Sequence, residues 1–185
     1  MNNNIKYVVG FAAALALVVL GGLAYMYSGA FNAAASAPHG AVDRWVLQTT
    51  MQRSVRTRAD ERAAPERFTA EQVAAGFREF DSECAMCHGA PGVERQAWAQ
   101  GMQPAPPNLA QSAERWSRAE LFWIIKNGVK MTGMPAMGSH HSDEDIWSIV
   151  AFIETLPEMS PGEYAQMRGE ADPEAPSART HSHRH

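Results

Sequence analysis

The apolar residues form one continuous run near the N-terminus and several amphipathic segments after it. The run from Tyr7 to Tyr27 contains no charged residue. As a helix it rises about 31 Å, close to the ~30 Å hydrocarbon core of a bilayer. A cleavable signal peptide usually has an apolar run of only about 7–15 residues, so length favours an uncleaved transmembrane anchor over residues 1–27. The cleavage-like sequence Ala35-Ser36-Ala37 keeps a signal peptide as the alternative.

Residues 28–67 predict a small, polar linker followed by a juxtamembrane basic helix from Asp43 to Asp60. This helix carries four arginines with no acid between the first and the last: Arg44, Arg53, Arg56 and Arg58. A solvated basic face is the simpler interpretation of this pattern. The functional interpretation is contact with anionic lipid or with an acidic partner at the membrane.

Three amphipathic helices are predicted within residues 68–157. The first begins at a capping box that starts with Thr69, carries apolar residues at helical spacing, and runs directly into Cys84. The second ends at Gly128, and the third carries an apolar stripe that Pro157 stops. No alternating strand pattern precedes Cys84, so the pattern favours an all-α domain.

Two stretches lack a clear helical pattern. Residues 89–113 contain four prolines, and we expect them to be irregular except around Trp98. Residues 158–185 are polar, and we expect a disordered tail in which the sequence SPGEYAQM adds one or two helical turns. The tail ends with three histidines that offer weak metal binding at most: His181, His183 and His185.

Composition narrows the functional classes. Apolar residues make up 45% of the chain and charged residues 19%, which is typical of a globular protein. The net charge of −4 gives no indication of nucleic-acid binding. No nucleophile–base pair, phosphate loop or nucleic-acid motif is evident, so we expect neither an enzyme nor a small-molecule substrate.

The chain has only two cysteines, Cys84 and Cys87, with His88 directly after them. A zinc site needs four ligands, and no second Cys-x-x-Cys is present. A redox dithiol belongs at a strand-to-helix turn, and no strand is predicted there. Covalent haem attachment needs two thiols one helical turn apart and an imidazole next to them. The motif therefore predicts one covalently bound haem c with His88 as an iron ligand.

A second axial ligand is expected from the loop between the last two predicted helices. Three methionines lie there, and thioether sulfur is the ligand that raises the potential of a haem: Met131, Met134 and Met137. We expect Met134 to be the ligand because glycine and proline flank it, and the other two to fill a core. His140 and His141 are expected to face solvent, with axial ligation by a histidine as the alternative.

These features together resemble the class I cytochromes c. The resemblance covers about residues 68–157 and rests on Gly76 and Phe80, the Cys-x-x-Cys-His motif, the Pro106-Pro107-Asn108-Leu109 stretch and Met134-Pro135. It implies three to five helices around one haem, preceded here by a single N-terminal transmembrane helix. It also implies that Gly76 and Phe80 lie where the first and last helices cross.

The resemblance has further implications for the site and its location. A backbone carbonyl of Pro106 or Pro107 would accept a hydrogen bond from the His88 ring, so both prolines are expected near the cofactor. Haem attachment implies a domain outside the cytoplasm, hence a periplasmic domain anchored in a bacterial inner membrane. Because residues 68–158 hold six Lys/Arg against twelve Asp/Glu, a formal −6, a partner with a basic or apolar surface is expected.

The function expected from the sequence is single-electron transfer between respiratory partners at the membrane. Two alternatives remain open. The chain would otherwise be the cytochrome subunit that accepts electrons from a periplasmic dehydrogenase, or a haem-based gas-binding protein with an open iron position.

Overall fold

The structure is a computed structural model that describes residues 3–171. The regular elements among these residues are helices, and the described part of the chain contains no β-strand beyond an isolated bridge between Ala90 and Val93. The predicted all-α class is therefore confirmed. The chain divides after Pro38 into two compact units, which are described separately.

The N-terminal unit contains one long helix, α1, from Asn3 to Tyr27. Its segment Asn4–Tyr27 has a mean hydropathy of 2.3 and is long and apolar enough to cross a membrane. The side chains of that segment are unburied, as expected of a helix that packs against lipid. A signal sequence near the N-terminus can meet the same criteria of length and composition, so α1 is compatible with either role.

The second unit, which begins at His39, holds the remaining helices. These are α2 (Ala41–Arg58), α3 (Ala70–Glu79), α4 (Ala85–His88), α5 (Ala97–Gln100), α6 (Leu109–Arg115), α7 (Arg118–Asn127), α8 (Asp143–Ile153) and α9 (Pro161–Ala171). Short 3-10 turns lie at Glu61–Ala63 and Met137–Ser139, and a π-helical turn lies at Phe80–Cys84.

The core is built around the crossing of α3 and α8. At Gly76 an added Cβ would overlap the Ser148 carbonyl, so the two backbones come together only because this residue has no side chain. Phe80 is fully buried next to this crossing and packs against Phe152 of α8 with ring centroids 4.9 Å apart. The predicted crossing at Gly76 and Phe80 is confirmed.

The starts of three core helices follow from their capping residues. Thr69, Ser117 and Ser142 each accept a hydrogen bond from the backbone three residues later, and the side chain of that later residue reciprocates. Such boxes satisfy amide groups that a helix start leaves without partners. Helices α3, α7 and α8 therefore correspond, in the same order along the chain, to the three predicted helices.

An extra helix, α6, lies inside the stretch predicted to be irregular. Asn108 begins it, because its side-chain oxygen accepts hydrogen bonds from the amides of Ala110 and Gln111. The four prolines all precede this cap, so they shape the loop without interrupting the helix. The predicted irregular segment therefore ends at Asn108 rather than at Ala113.

Helix α2 packs against α7, upstream of the expected domain start at residue 68. Val55 of α2 is 1% exposed, and the Arg56 guanidinium lies 3.5 Å from the Glu120 carboxylate. The next turn adds a hydrogen bond of 2.6 Å from the Ser117 hydroxyl to Glu61. The predicted basic helix is present, but one of its arginines pairs with the domain instead of belonging to a solvated face.

The expected disordered tail of residues 158–185 needs correction where the structure describes it. Residues Pro161–Ala171 form α9, and Tyr164 of this helix is 1% exposed in the core. Ser160 and Glu163 bond to each other's backbone amides and cap the helix start. The rest of the tail, with His181, His183 and His185, lies outside the described residues.

Candidate haem site

A continuous helical segment carries the three residues of the attachment motif. Helix α3 passes through the π-turn Phe80–Cys84 into α4, where the amide of Ala85 donates to the carbonyl of Phe80. Single π-turns inside α-helices often occur at functional sites. Cys84 and Cys87 are free thiols one helical turn apart, and His88 ends α4.

Two side chains of helix α9 contact this π-turn. The Tyr164 hydroxyl donates to the Asp81 carboxylate at 2.6 Å, and the Arg168 guanidinium lies 3.1 Å from the same carboxylate. The Tyr164 ring also packs edge-on against Phe77, with centroids 5.4 Å apart. The contacts of Asp81 thus attach α9, the last described helix of the domain, to the turn that precedes Cys84.

The thiols are in an environment unlike that of a redox dithiol. Burial raises the pKa of Cys84 to about 12, and burial also raises the pKa of Cys87. Reactive Cys-x-x-Cys motifs instead have lowered thiol pKa values at exposed helix starts. Neither cysteine belongs to the group of possible metal ligands found among the described residues. The raised thiol pKa values therefore disfavour the dithiol interpretation. The position of both cysteines outside that group of ligands disfavours the zinc interpretation.

The His88 ring is fixed by one backbone contact. Its Nδ1 lies 2.9 Å from the carbonyl oxygen of Pro107, which can only accept, so Nδ1 carries the proton and donates. The lone pair is then on Nε2, the atom free to bind a metal. Burial lowers the pKa of His88, which keeps the ring neutral as ligation requires. Pro107, and not Pro106, supplies the expected carbonyl.

A cavity of about 670 Å³ opens on the His88 side of the domain. Its lining includes His88, Arg95, Leu109 and Leu156. Cofactor pockets of about 300–1,000 Å³ with mostly apolar walls and a few polar groups are usual. Met134 does not line this cavity, so the cavity itself bears only on the His88 side of the site.

The three methionines of the second loop have different environments. Met131 is 84% exposed and has a positive φ of 62°, which places it at the tip of a turn. Met137 is 8% exposed and belongs to the core. Met134 is partly buried and packs against the edge of that core. Of the three, only Met134 combines an irregular backbone with partial burial.

The backbone around Met134 is held by Thr132, which the sequence analysis does not name, and by Gly128, which it predicts only as the end of a helix. The Thr132 hydroxyl donates to the Val129 carbonyl at 2.7 Å and accepts from the Met134 amide at 3.1 Å. Gly128 has φ +64°, and a Cβ there would lie 2.6–2.7 Å from backbone atoms of Met134 and Pro135. Two sequence features could have indicated this backbone support: a threonine two residues before the methionine, and the glycine that ends the preceding helix.

Comparison with known families agrees with this geometry. Residues 71–153 match the family model described as cytochrome c oxidase, cbb3-type, subunit III. The match supports a class I c-type cytochrome domain over these residues, with an electron-carrying role and covalently bound haem c. No curated protein matched the chain.

The residues present fit a covalently attached haem. Two neutral thiols are available for thioether bonds, and a neutral imidazole presents an unprotonated Nε2. The acceptor for Nδ1–H is a backbone carbonyl, the kind of partner that fixes the orientation of a ligating histidine.

Proposed function

We propose that the protein is a membrane-anchored c-type cytochrome that carries single electrons between respiratory partners through one haem c. Cys84 and Cys87 would hold the haem, and His88 and Met134 would hold its iron. The observation that carries this proposal is the hydrogen bond from His88 Nδ1 to the Pro107 carbonyl, at a residue that directly follows two partly buried thiols with raised pKa values. This arrangement prepares an imidazole for iron and leaves the thiols available for thioether formation.

The roles of the protein residues follow from their chemistry. When bound, a haem c supplies an iron that accepts and releases one electron. His88 would donate from Nε2 while Pro107 keeps its ring oriented, and the Met134 thioether would favour the reduced state. Apolar residues such as Leu109 restrict water, which limits rearrangement when the iron changes charge. No substrate-binding or proton-transferring residue is required.

We infer that the domain lies on the periplasmic side of a bacterial inner membrane, with α1 retained as a single-pass anchor. The length and hydropathy of α1 support the anchor, and covalent haem attachment supports the compartment. Intact-mass analysis of the protein from membranes would test retention. A species that retains the α1 sequence and carries one haem is expected, whereas a chain that begins after Ala37 would identify α1 as a signal peptide.

The proposed partners are redox proteins in or at the same membrane. With six Lys/Arg and twelve Asp/Glu, residues 68–158 have too few cations for a basic ring around the site. A partner with a basic or an apolar docking surface is therefore expected. The matching family model is named for a subunit of a cbb3-type oxidase, which favours a terminal oxidase as the acceptor.

A redox titration of the full-length holoprotein in detergent, followed by addition of carbon monoxide to the reduced form, tests this function. The expected result is a single one-electron wave and a low-spin spectrum that carbon monoxide leaves unchanged. A prompt spectral shift would instead support the gas-binding alternative. Absence of covalent haem would contradict both, and stable co-purification with a dehydrogenase subunit would favour the subunit alternative.

A further inference from the structure

Three side chains from two distant segments of the chain meet next to the attachment motif. They are Glu83, His140 and His141, and their ligand atoms all lie within 4.8 Å of one another. Oε2 of Glu83 is 3.0 Å from Nε2 of His141 and 3.6 Å from Nε2 of His140. The proposed haem site uses none of the three.

The ring of His140 is oriented by its neighbour. The Ser139 hydroxyl donates to the carbonyl of Ala136 at 3.0 Å, so its oxygen remains free to accept a hydrogen bond. Nδ1 of His140 lies 3.0 Å from that oxygen and therefore donates to it. The neutral ring then has its lone pair on Nε2, which faces the Glu83 carboxylate. Two acceptors that face each other at 3.6 Å favour a proton or a cation between them.

His141 is the more enclosed member of the cluster. Its side chain is only 10% exposed, against 51% for His140, so the expectation that both histidines face solvent is wrong for His141. Its hydrogen bond to Glu83 lowers the pKa of that carboxyl group, which keeps it ionised. The cluster thus offers one carboxylate and two imidazoles from two separate segments of the chain.

We propose that Glu83, His140 and His141 form a binding site for a divalent transition-metal ion, distinct from the haem iron. Imidazole nitrogen and carboxylate oxygen suit Zn²⁺, Cu²⁺ and Ni²⁺. With metal–ligand bonds of about 2.0–2.1 Å, adjacent ligands of a tetrahedral site lie about 3.3 Å apart. The measured separations of 3.0 and 3.6 Å around Glu83 bracket that value. The metal would displace the proton that lies between His141 Nε2 and Glu83 and release it to solvent, and water would complete the coordination.

The position of the site connects it to the redox centre. Glu83 directly precedes Cys84, and its carboxylate is one of the groups whose charge raises the pKa of that thiol. A bound divalent cation replaces a local negative charge with a positive one. Because added positive charge disfavours the oxidised iron, metal binding is expected to raise the potential of the haem.

Isothermal titration of Zn²⁺ into the full-length holoprotein tests the site. The background carries His181, His183 and His185 changed to Ala, so that the terminal histidines do not compete. One Zn²⁺ per chain with a Kd near about 1 μM is expected. His140→Ala and Glu83→Gln are each expected to weaken binding about tenfold or more. His140 is half exposed, so its removal leaves the fold intact, which the visible spectrum of the haem verifies.

Two matched variants serve as controls. Glu79→Gln removes the same charge one helical turn before Glu83, and it also lies near Cys84 but outside the cluster. His39→Ala removes a histidine from the start of the second unit. Both are expected to bind Zn²⁺ like the background protein, and Zn²⁺ should raise the haem potential in both but not in His140→Ala.

Two results would overturn the proposal. One is the absence of Zn²⁺ binding up to about 1 mM, which would make the cluster a hydrogen-bonded ion pair only. The other is binding of equal strength in the background protein, His140→Ala and Glu83→Gln. If these variants keep a low-spin haem spectrum, the proposed haem site stands even though the proposed Zn²⁺ site fails.

Discussion

His88 and Met134 are held in very different ways, although both are expected to bind the same iron. His88 ends a helical segment that begins at Ala70, and its ring has its own hydrogen bond to Pro107. Met134 lies in a loop without regular structure, and its side chain has no comparable anchor. Its backbone is positioned by the Thr132 hydroxyl and by close contact with Gly128.

The two sides of the site should therefore differ in how easily they open. The histidine side depends on helix packing, on α9 and on a side-chain hydrogen bond, so losing one contact leaves the others. The methionine side depends on a few backbone contacts within residues 128–135. Local opening is easier where few contacts hold a segment, so we expect the sulfur side to open first.

The largest effect is expected from His88→Ala. This change removes the imidazole and leaves the Pro107 carbonyl without its donor. We expect the yield of low-spin holoprotein to fall by about tenfold or more, measured by the visible spectrum of the purified protein. His39→Ala is the control and should retain a normal spectrum. Normal haem ligation in His88→Ala would rule out the assigned role of this residue.

Gly128→Ala should open the sulfur side. The new Cβ would lie 2.6–2.7 Å from backbone atoms of Met134 and Pro135, at a φ of +64°. We expect a loss of about 1–3 kcal/mol in the free energy of unfolding, together with carbon monoxide binding to the reduced protein. Gly162→Ala in α9 is the matched control, because its Cβ has no neighbour closer than 4.0 Å. Equal behaviour of the two variants would contradict the proposed contact.

Thr132→Val tests the same loop with a smaller change. It keeps the shape of the side chain but removes the hydroxyl that bonds to Val129 and Met134. A loss of about 1–2 kcal/mol is expected from denaturant unfolding. The rate of carbon monoxide binding to the reduced variant should become measurable, in contrast to the unmodified protein, because the loss lies in opening the loop. Thr132→Ser retains the hydroxyl and should restore both values.

Tyr164→Phe should produce the smallest effect on the site. It removes the hydroxyl that donates to Asp81, while Arg168 remains 3.1 Å from that carboxylate. The expected cost is about 1 kcal/mol of unfolding free energy, with no change in carbon monoxide binding. If this variant admits carbon monoxide as readily as Thr132→Val, the two sides of the site do not differ in the proposed way.

Much of the helical framework could be predicted because its signals are local. Capping boxes at Thr69, Ser117 and Ser142 mark helix starts within a few residues, and a positive-φ glycine at 128 ends α7. The cysteine spacing likewise indicates its chemistry directly. The partner of the His88 ring was predicted only as one of two prolines, because a carbonyl's direction depends on how the loop folds.

Other features depend on contacts between distant residues and could not be read from the pattern. Tyr164 is buried by rings of α3 and α8. Because its neighbours in the sequence are polar, the pattern gave no indication that it belongs to the core. The Ser160–Glu163 capping pair was the available signal for that helix. His141 is enclosed because it meets Glu83, which is 58 residues away in the chain.

Carbon monoxide binding to reduced Met134→Ala and Met131→Ala tests the central claim most directly. The two methionines are three residues apart, but Met131 is 84% exposed and Met134 is partly buried. Met131→Ala is expected to behave like the unmodified protein, with a low-spin spectrum that carbon monoxide does not change. Met134→Ala is expected to bind the gas at once and to have a lower reduction potential. A Met134→Ala spectrum that remains low-spin and ignores carbon monoxide would contradict sulfur ligation by this residue.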